Sequence, residues 1–270
     1  VMPIDIGKKP ETPSAPKPGP LSVNTVEIKN GTLSFQDLRR PEPNRIELRK
    51  IDMSLDHVAF PLKDGPSKFV FQAQLAGNLL SGSASGSGTI HFETLAVSGK
   101  FEGQNLVFLD GGAAGPVSRV QGMSFTAASE GVAAKGLTLS DLVLIKPYLR
   151  LESDRKGKLS SPLPGAELKA QVEKKEGAAV PVVVKNLKVE GGELLYLDGK
   201  IARRPFPVRV TDIDLTADQL SFPADNRNTA YRLSARLPGN HGTGVLTSLG
   251  NTVLKTLETS AKASLRNLDL

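Results

Sequence analysis

Few side chains in this sequence of 270 residues could bind a metal or transfer a proton. The three histidines, His57, His91 and His241, are isolated, and none has a partner at a metal-ligand spacing such as His-x3-His. There are no cysteines, which excludes disulfides, thiolate-bound zinc, iron–sulfur clusters and a cysteine nucleophile. We therefore expect the histidines to lie on strand surfaces, without catalytic or metal-binding roles.

Aspartates recur in two groups whose members alternate with apolar residues. General acid–base catalysis needs two carboxyl groups that converge in a pocket, one of them with a raised pKa. Alternation along a strand instead directs these side chains outward, where they keep a strand face solvated and oppose aggregation. The residues concerned are Asp52 and Asp56 in one group, and Asp212, Asp214 and Asp218 in the other.

Two glycine-rich stretches lack the sequence that a phosphate-binding loop needs. "SGSASGSG" (81–88) is not followed by Lys-Ser or Lys-Thr, and we expect it to form a flexible hairpin tip. "GGAAGP" (111–116) is predicted as a loop. The Gly-x-Ser-x-Gly elbow of many serine hydrolases does not occur. The sequence thus predicts a protein that is not an enzyme and that needs neither a cofactor nor a metal.

The charged residues argue against a nucleic-acid partner. The formal net charge is +6 and the pI about 9.4, but Lys and Arg stand singly or in pairs, with no run of five like charges. Most of these charges fit the solvated face of strands, and a mild attraction to anionic lipid headgroups is the alternative. No segment approaches the roughly 18 uninterrupted apolar residues of a membrane-spanning helix.

Apolar residues alternate with polar ones in several segments, which is the pattern of half-buried antiparallel strands. Examples are "KFVFQAQL" (68–75), "FPVRV" (206–210) and "YRLSARL" (231–237). Hairpin turns are predicted at "KNG" (29–31) and "EGG" (190–192). Residues 244–260 also have apolar residues four apart, as in a helix, but we predict strands there.

The strand pattern occurs twice in the chain. "VEIKNGTLSFQD" (26–37) returns as "LKVEGGELLYLD" (187–198), and "IDMSLDHVAFP" (51–61) returns as "IDLTADQLSFP" (213–223). The spacing of 161 or 162 residues is held over about 80 residues, which indicates an internal repeat. We predict a Pro-rich linker at 1–20, a first repeat at 21–164, a charged linker at 165–180 and a second, truncated repeat at 181–270.

These patterns predict an all-β, tandem-repeat fold, a mostly antiparallel curved sheet that forms an open groove and is a fragment of a longer protein. Aromatic residues make up only 5%, and the inward-facing candidates are mostly medium aliphatics, which suit flexible acyl chains. Packing of the same residues against a second sheet or a covering helix is the alternative. The candidates for lining a lipid groove are Phe69, Phe71, Leu75, Phe206, Val208, Leu233 and Leu237.

The order of these segments resembles the AsmA-like proteins of Gram-negative envelopes. The resemblance runs from about residue 21 to residue 270, and it includes "GLTLSDLVLIKPYLRLESDRKGKLSSPLP" (136–164), a strand and a Pro-containing turn before an Arg-containing strand. It implies a repeating β-groove of the bridge-like lipid-transfer type, held to the inner membrane by a helix upstream of this chain.

This resemblance also implies a noncatalytic periplasmic function. The expected partners are phospholipid acyl chains, with a role in phospholipid transport and outer-membrane integrity, and envelope proteins are possible further partners. The alternative interpretation is a structural or protein-interaction β-repeat scaffold of the cell envelope.

Overall fold

A computed structural model describes residues 21–37, 44–60, 65–109, 116–129, 136–157, 159–160, 181–200, 206–239 and 242–267. These residues form fourteen β-strands and no helix, which confirms the all-β prediction. The strands are β1 (Leu21–Asp37), β2 (Asn44–Phe60), β3 (Ser67–Gly77), β4 (Leu80–His91), β5 (Ala96–Leu109), β6 (Pro116–Ser129), β7 (Leu137–Ile145), β8 (Tyr148–Ser153), β9 (Leu159–Ser160), β10 (Val182–Asp198), β11 (Phe206–Phe222), β12 (Asn228–Pro238), β13 (Thr243–Val253) and β14 (Glu258–Arg266).

All fourteen strands belong to one largely antiparallel sheet. Strands β1 to β7 pair each with the next, and so do β10 to β14. The two runs are joined by parallel pairing of β10 with β7 and with β8. The predicted linkers at 1–20 and 165–180 lie outside the described residues, so the predicted repeat boundaries stay predictions.

Strands β7 and β8 act as one strand that is interrupted at Lys146 and Pro147. On either side of the interruption, the Lys146 N–H donates to the Glu190 carbonyl at 2.7 Å, and the Glu193 N–H donates to the Pro147 carbonyl at 2.7 Å. Strand β8 also pairs with β6, which closes a ring of four paired strands around this point. The described strands nevertheless form a single layer, since every extensive contact between them joins strands that are paired in the sheet.

The two repeats have the same backbone. Strands β1 and β10 each have 17 residues, β2 and β11 each have 17, and β3 and β12 each have 11. Left-handed backbone conformations recur at equivalent positions, 161 or 162 residues apart. These pairs are Asn30 and Gly191, Lys50 and Asp212, Leu95 and Leu257, and Asn105 and Asn267.

The hairpin turns predicted at "KNG" and "EGG" are wrong. Strands β1 and β10 continue through these segments, and the pairing register shifts there, next to Gly31 and Gly192. Asn30 and Gly191 have φ of 53° and 62°. Each segment is therefore a β-bulge, which accommodates an extra residue within a continuous strand and does not reverse the chain.

The flexible hairpin tip predicted for "SGSASGSG" is also wrong, because the segment lies within the central strand β4. A Cβ atom on Gly86 would come within 2.6 Å of the Phe71 ring and 2.7 Å of the Phe101 ring. The Phe71 and Phe101 rings of the adjacent strands thus occupy the space above Gly86. The strands predicted across 244–260 are confirmed as β13 and β14, whereas residues 111–115 of the predicted loop lie outside the described residues.

Candidate functional site

One face of the sheet is apolar along its whole width in the described strands. Alternation and register place mainly aliphatic and aromatic side chains on this face from β1 to β14, and mainly Ser, Thr, Gln and charged side chains on the other. We call these the apolar face and the polar face. Residues that define the apolar face are Ile28, Leu48, Met53, Leu55, Phe69, Phe71, Leu75, Phe101, Phe125, Leu144, Val189, Leu194, Val208, Leu215, Leu233, Leu237, Leu246 and Leu265.

The apolar face has no second layer over it in the described part of the chain. The few hydrophobic residues that are buried in the described strands are all Ala, Val or Leu, and the alanines are Ala73, Ala127, Ala217 and Ala235. Twelve strands in succession at about 4.8 Å spacing give the face a width of roughly 50 Å. It is therefore a long apolar surface that the sheet itself does not cover.

In the first repeat, four phenylalanines form a row across the middle of the apolar face. The ring centroids of Phe101 and Phe125 are 5.4 Å apart, with an interplanar angle of 18°, and those of Phe71 and Phe101 are 6.2 Å apart. Phe69 lies 6.1 Å from Phe101. We call these four residues the phenylalanine cluster, and it passes over Gly86 of β4.

In the second repeat, smaller side chains stand at two of these positions, since Leu233 is equivalent to Phe71 and Ala263 to Phe101, while Tyr231 keeps a ring at the position of Phe69. Leu233 stands opposite Leu215 on one side and Ser248 on the other, and Ser248 stands opposite Ala263. Every residue of β14 is exposed. Within the described strands, the row of four rings in the first repeat is thus matched in the second by one ring, Tyr231, beside smaller side chains.

All seven residues predicted to line a groove lie on the apolar face. Phe69, Phe71 and Leu75 are half-buried neighbours in β3, and Leu233 and Leu237 are half-buried in β12. The remaining two, in β11, are more open: Phe206 is 53% exposed and Val208 is 38% exposed. The structure therefore brings the candidates onto one surface, while their contact with lipid stays a prediction.

Two aspartates have a structural task that the sequence interpretation missed. The Asn30 N–H donates to Asp52 Oδ1 at 2.9 Å, and the Gly191 N–H donates to Asp214 Oδ1 at 3.0 Å. The Asn30 N–H, and then the Gln72 side-chain amide, hold the pKa of Asp52 below its ordinary value. The signal was present in the sequence, since Asp52 follows Asn30 by 22 residues and Asp214 follows Gly191 by 23.

The polar face carries the charged residues. A depression of about 820 Å³ lies on it over strands β1 to β5, with Glu27, Lys29, Asp52, Lys100 and Glu102 among its lining residues. Lys29 Nζ lies 2.8 Å from Glu27 Oε2, and that hydrogen bond raises the pKa of Lys29. All five aspartates singled out in the sequence are exposed, as their alternation predicted.

The structure places His57 and His91, both exposed, near strand ends, while His241 is outside the described residues. Across the described ranges, no group of three or more His, Asp or Glu side chains could hold a metal ion. The same part of the chain contains no helix with the length and hydropathy that crossing a membrane would need.

Comparison with protein-family models, with curated proteins and with solved structures gives no match for this chain. The likeness to the AsmA-like family therefore rests on the sequence alone. What the apolar face can do has to be argued from its own geometry and chemistry.

Proposed function

We propose that this chain is a noncatalytic lipid-binding and lipid-transfer module, which supports phospholipid transport and outer-membrane integrity from the periplasmic side of a Gram-negative inner membrane. The observation that carries the proposal is the apolar face, which continues across the described strands and which no other described element covers. Compartment and membrane attachment come from the resemblance in sequence, and the occupant comes from the surface itself.

Acyl chains suit this surface better than a rigid protein partner. The side chains on it are mainly aliphatic and mostly uncharged, so the contacts that they offer are nonspecific along the width of the sheet. At about 0.8 kcal/mol per buried CH2, a chain of about 16 carbons would gain on the order of 10 kcal/mol. That is enough to hold a lipid, and uniform contacts allow it to slide from one repeat to the next.

Native mass spectrometry of the purified protein tests the proposal directly. We expect phospholipid to co-purify with the wild-type chain. Phe71→Asp and Leu233→Lys should each remove most of the bound lipid, because a charge on the apolar face cannot be desolvated next to an acyl chain. Circular dichroism should find both variants folded, since both positions are half-buried on a single-layer sheet.

Matched controls are available on the polar face of the same strands or their neighbours. Val70 is 60% exposed next to Phe71, and Leu249 is 54% exposed and stands opposite Arg232. Val70→Asp and Leu249→Lys introduce the same charges on the other face and should leave bound lipid unchanged. Normal lipid content in the Phe71→Asp and Leu233→Lys variants would remove the basis of the proposal.

A scaffold is the second candidate, and the sheet edges favour it. Within the described chain, β1 pairs only with β2, and β14 pairs only with β13. A strand of another protein can add to an edge that no described strand occupies. A lipid-free protein in native mass spectra, together with oligomers or complexes that form through these edges, would favour the scaffold over the conduit.

A further inference from the structure

Hydroxyl groups interrupt the apolar face of the second repeat beside Asp198, where Tyr196 donates to Ser153 and Ser153 donates to Asp198, and at a second place. Tyr231, Ser248, Thr252 and Thr259 lie there, on three successive strands at the β14 edge of the sheet. The equivalent residues of the first repeat are Phe69, Gly86, Ile90 and Val97, none of which has a side-chain hydrogen-bonding group. We call the four residues of the second repeat the hydroxyl patch.

One hydroxyl hydrogen of the Tyr231–Ser248 pair has no acceptor within the hydroxyl patch. Tyr231 Oη and Ser248 Oγ are 3.1 Å apart and share one hydrogen bond. Because each of the two hydroxyls has one hydrogen, one of the two hydrogens is left over. Thr259 donates to the Leu257 carbonyl, and Thr252 Oγ1 lies 3.0 Å from Thr259 Oγ1, to which it can donate, so both threonine hydrogens have acceptors.

The neighbours of this donor are aliphatic. Tyr231 stands opposite Ala217 and Gly250, and Ser248 stands opposite Leu233 and Ala263. A phosphate would need the Arg or Lys side chains that recognise anions, and in the described strands those lie on the polar face. An uncharged acceptor that is joined to hydrocarbon fits this environment, and the ester carbonyl of an acyl lipid is such an acceptor.

We propose that the hydroxyl patch binds the ester groups of a diacyl lipid, whose chains lie on the adjoining aliphatic part of the apolar face. This inference rests on the proposed function and adds to it the place where the ester groups of the lipid would bind. The second repeat holds the polar end of the fatty chains, whereas the phenylalanine cluster of the first repeat offers no partner to a carbonyl. Headgroup charge would then matter little, because the patch recognises the ester and not the phosphate.

The test is competition between two phospholipids with the same chains and headgroup, one ester-linked and one ether-linked. The ether lipid lacks the carbonyl acceptors but fills the same space. Native mass spectrometry after loading with an equimolar mixture should find the wild-type protein enriched in the ester lipid by about fivefold, the effect of one net hydrogen bond. The double variant Tyr231→Phe with Ser248→Ala should bind the two lipids equally.

A matched control uses hydroxyls on the opposite face of the same two strands. Ser234 and Thr247 are paired on the polar face of β12 and β13. The double variant Ser234→Ala with Thr247→Val should keep the preference of the wild type. Urea unfolding of all variants checks that the sheet stays folded, and each substitution except Thr247→Val simply removes one oxygen.

The possible outcomes separate this inference from the proposed function. If the wild-type protein takes up both lipids equally, the inference is overturned while lipid binding stands. A preference for the ester lipid that survives in the Tyr231→Phe, Ser248→Ala variant also overturns it, because the selecting group then lies elsewhere. If neither lipid is taken up, the proposed function fails and the inference fails with it.

Discussion

The two repeats share a backbone but differ in what covers their apolar face. Their bulges, the lengths of their first three strands and their bulge-holding aspartates coincide. The first repeat covers a glycine-rich strand with the phenylalanine cluster, whereas the second has Leu233, Ser248 and Ala263 in its place. The comparison teaches that the sheet geometry is set by a few backbone positions, and that the filling of the apolar face can change independently.

On the polar face, too, equivalent positions of the two repeats hold different side chains. Glu27 and Lys29 form an ion pair in β1, and Lys188 and Glu190 form one in β10 at 2.6 Å. These are equivalent positions with the charges in reverse order. What the two repeats have in common is the presence of a pair, and its direction is not needed for the fold.

The largest difference between the repeats should appear on substitution of Gly86 by valine. Its Cβ atom would clash with the Phe71 and Phe101 rings, and overpacking of this kind costs about 2–3 kcal/mol. Ser248→Val at the equivalent position should change the free energy of unfolding by less than about 1 kcal/mol, because the favourable strand propensity of valine offsets the lost hydrogen bond to Tyr231. Urea unfolding measures both, and equal losses would contradict the contrast.

Removal of a ring from the phenylalanine cluster should have the next largest effect. Phe101→Ala should lower the free energy of unfolding by about 2 kcal/mol, less than for a fully buried phenylalanine, since Phe101 is half-buried. The reverse change, Ala263→Phe, should be tolerated within about 0.5 kcal/mol because β14 is exposed. A large loss in the Ala263→Phe variant would mean that the second repeat is not open.

The bulges should respond alike in both repeats, to a smaller extent. Asp52→Ala and Asp214→Ala each remove the acceptor of a backbone N–H, so each should lower the midpoint of urea unfolding by less than Phe101→Ala does. A change at only one of the two sites would show that the bulges are held in different ways.

The pH dependence of the Asp52 effect has a defined sign. Folding lowers the pKa of this carboxyl, mainly through the Asn30 N–H, so its contribution is complete above the pKa of the unfolded chain, about 4. The contribution is lost as the pH falls through the folded-state pKa. The difference in urea midpoint between wild type and Asp52→Ala should therefore shrink below about pH 4, and a difference that grows there would contradict the assignment.

Reversal of the β1 ion pair should have the smallest effect. The double variant Glu27→Lys with Lys29→Glu copies the order found in β10 and should leave the urea midpoint unchanged. Lys29→Glu alone should lower the midpoint slightly, since it places two like charges side by side on an exposed strand. A clear loss in the double variant would mean that the order of the charges does matter.

Alternation and spacing were enough to predict the strands and the repeat. Residues such as Phe71 and Ala73, or Tyr231 and Leu233, lie two apart with a polar residue between them, and a half-buried strand is the simplest structure with that period. For the same reason the seven groove candidates were found on one face. Whether another layer covers that face depends on contacts far apart in the chain, which alternation does not encode.

The wrong predictions, a flexible tip at 81–88 and hairpin turns at 29–31 and 190–192, concern segments that contain glycine or asparagine. Composition suggested that "SGSASGSG" is flexible, but its glycines and Ala84 share one face of β4 while its serines share the other. That alternation was a readable signal of a strand whose neighbours supply the bulk. The bulges at Asn30 and Gly191 had the sequence of turns, because turns and bulges both use residues that tolerate positive φ.

The parallel pairing of β10 with β7 and β8 has a consequence for the whole assembly. Strands β1 to β7 alternate in direction, so β7, which β8 continues, runs the same way as β1. If β10 were antiparallel to β7, it would run opposite to β1 and the second unit would be inverted. A parallel joint instead restores the starting direction, so that the second unit is a translated copy of the first and not an inverted one. The two ends of the sheet are therefore different, and the direction from the first unit to the second is structurally distinguishable from the reverse direction.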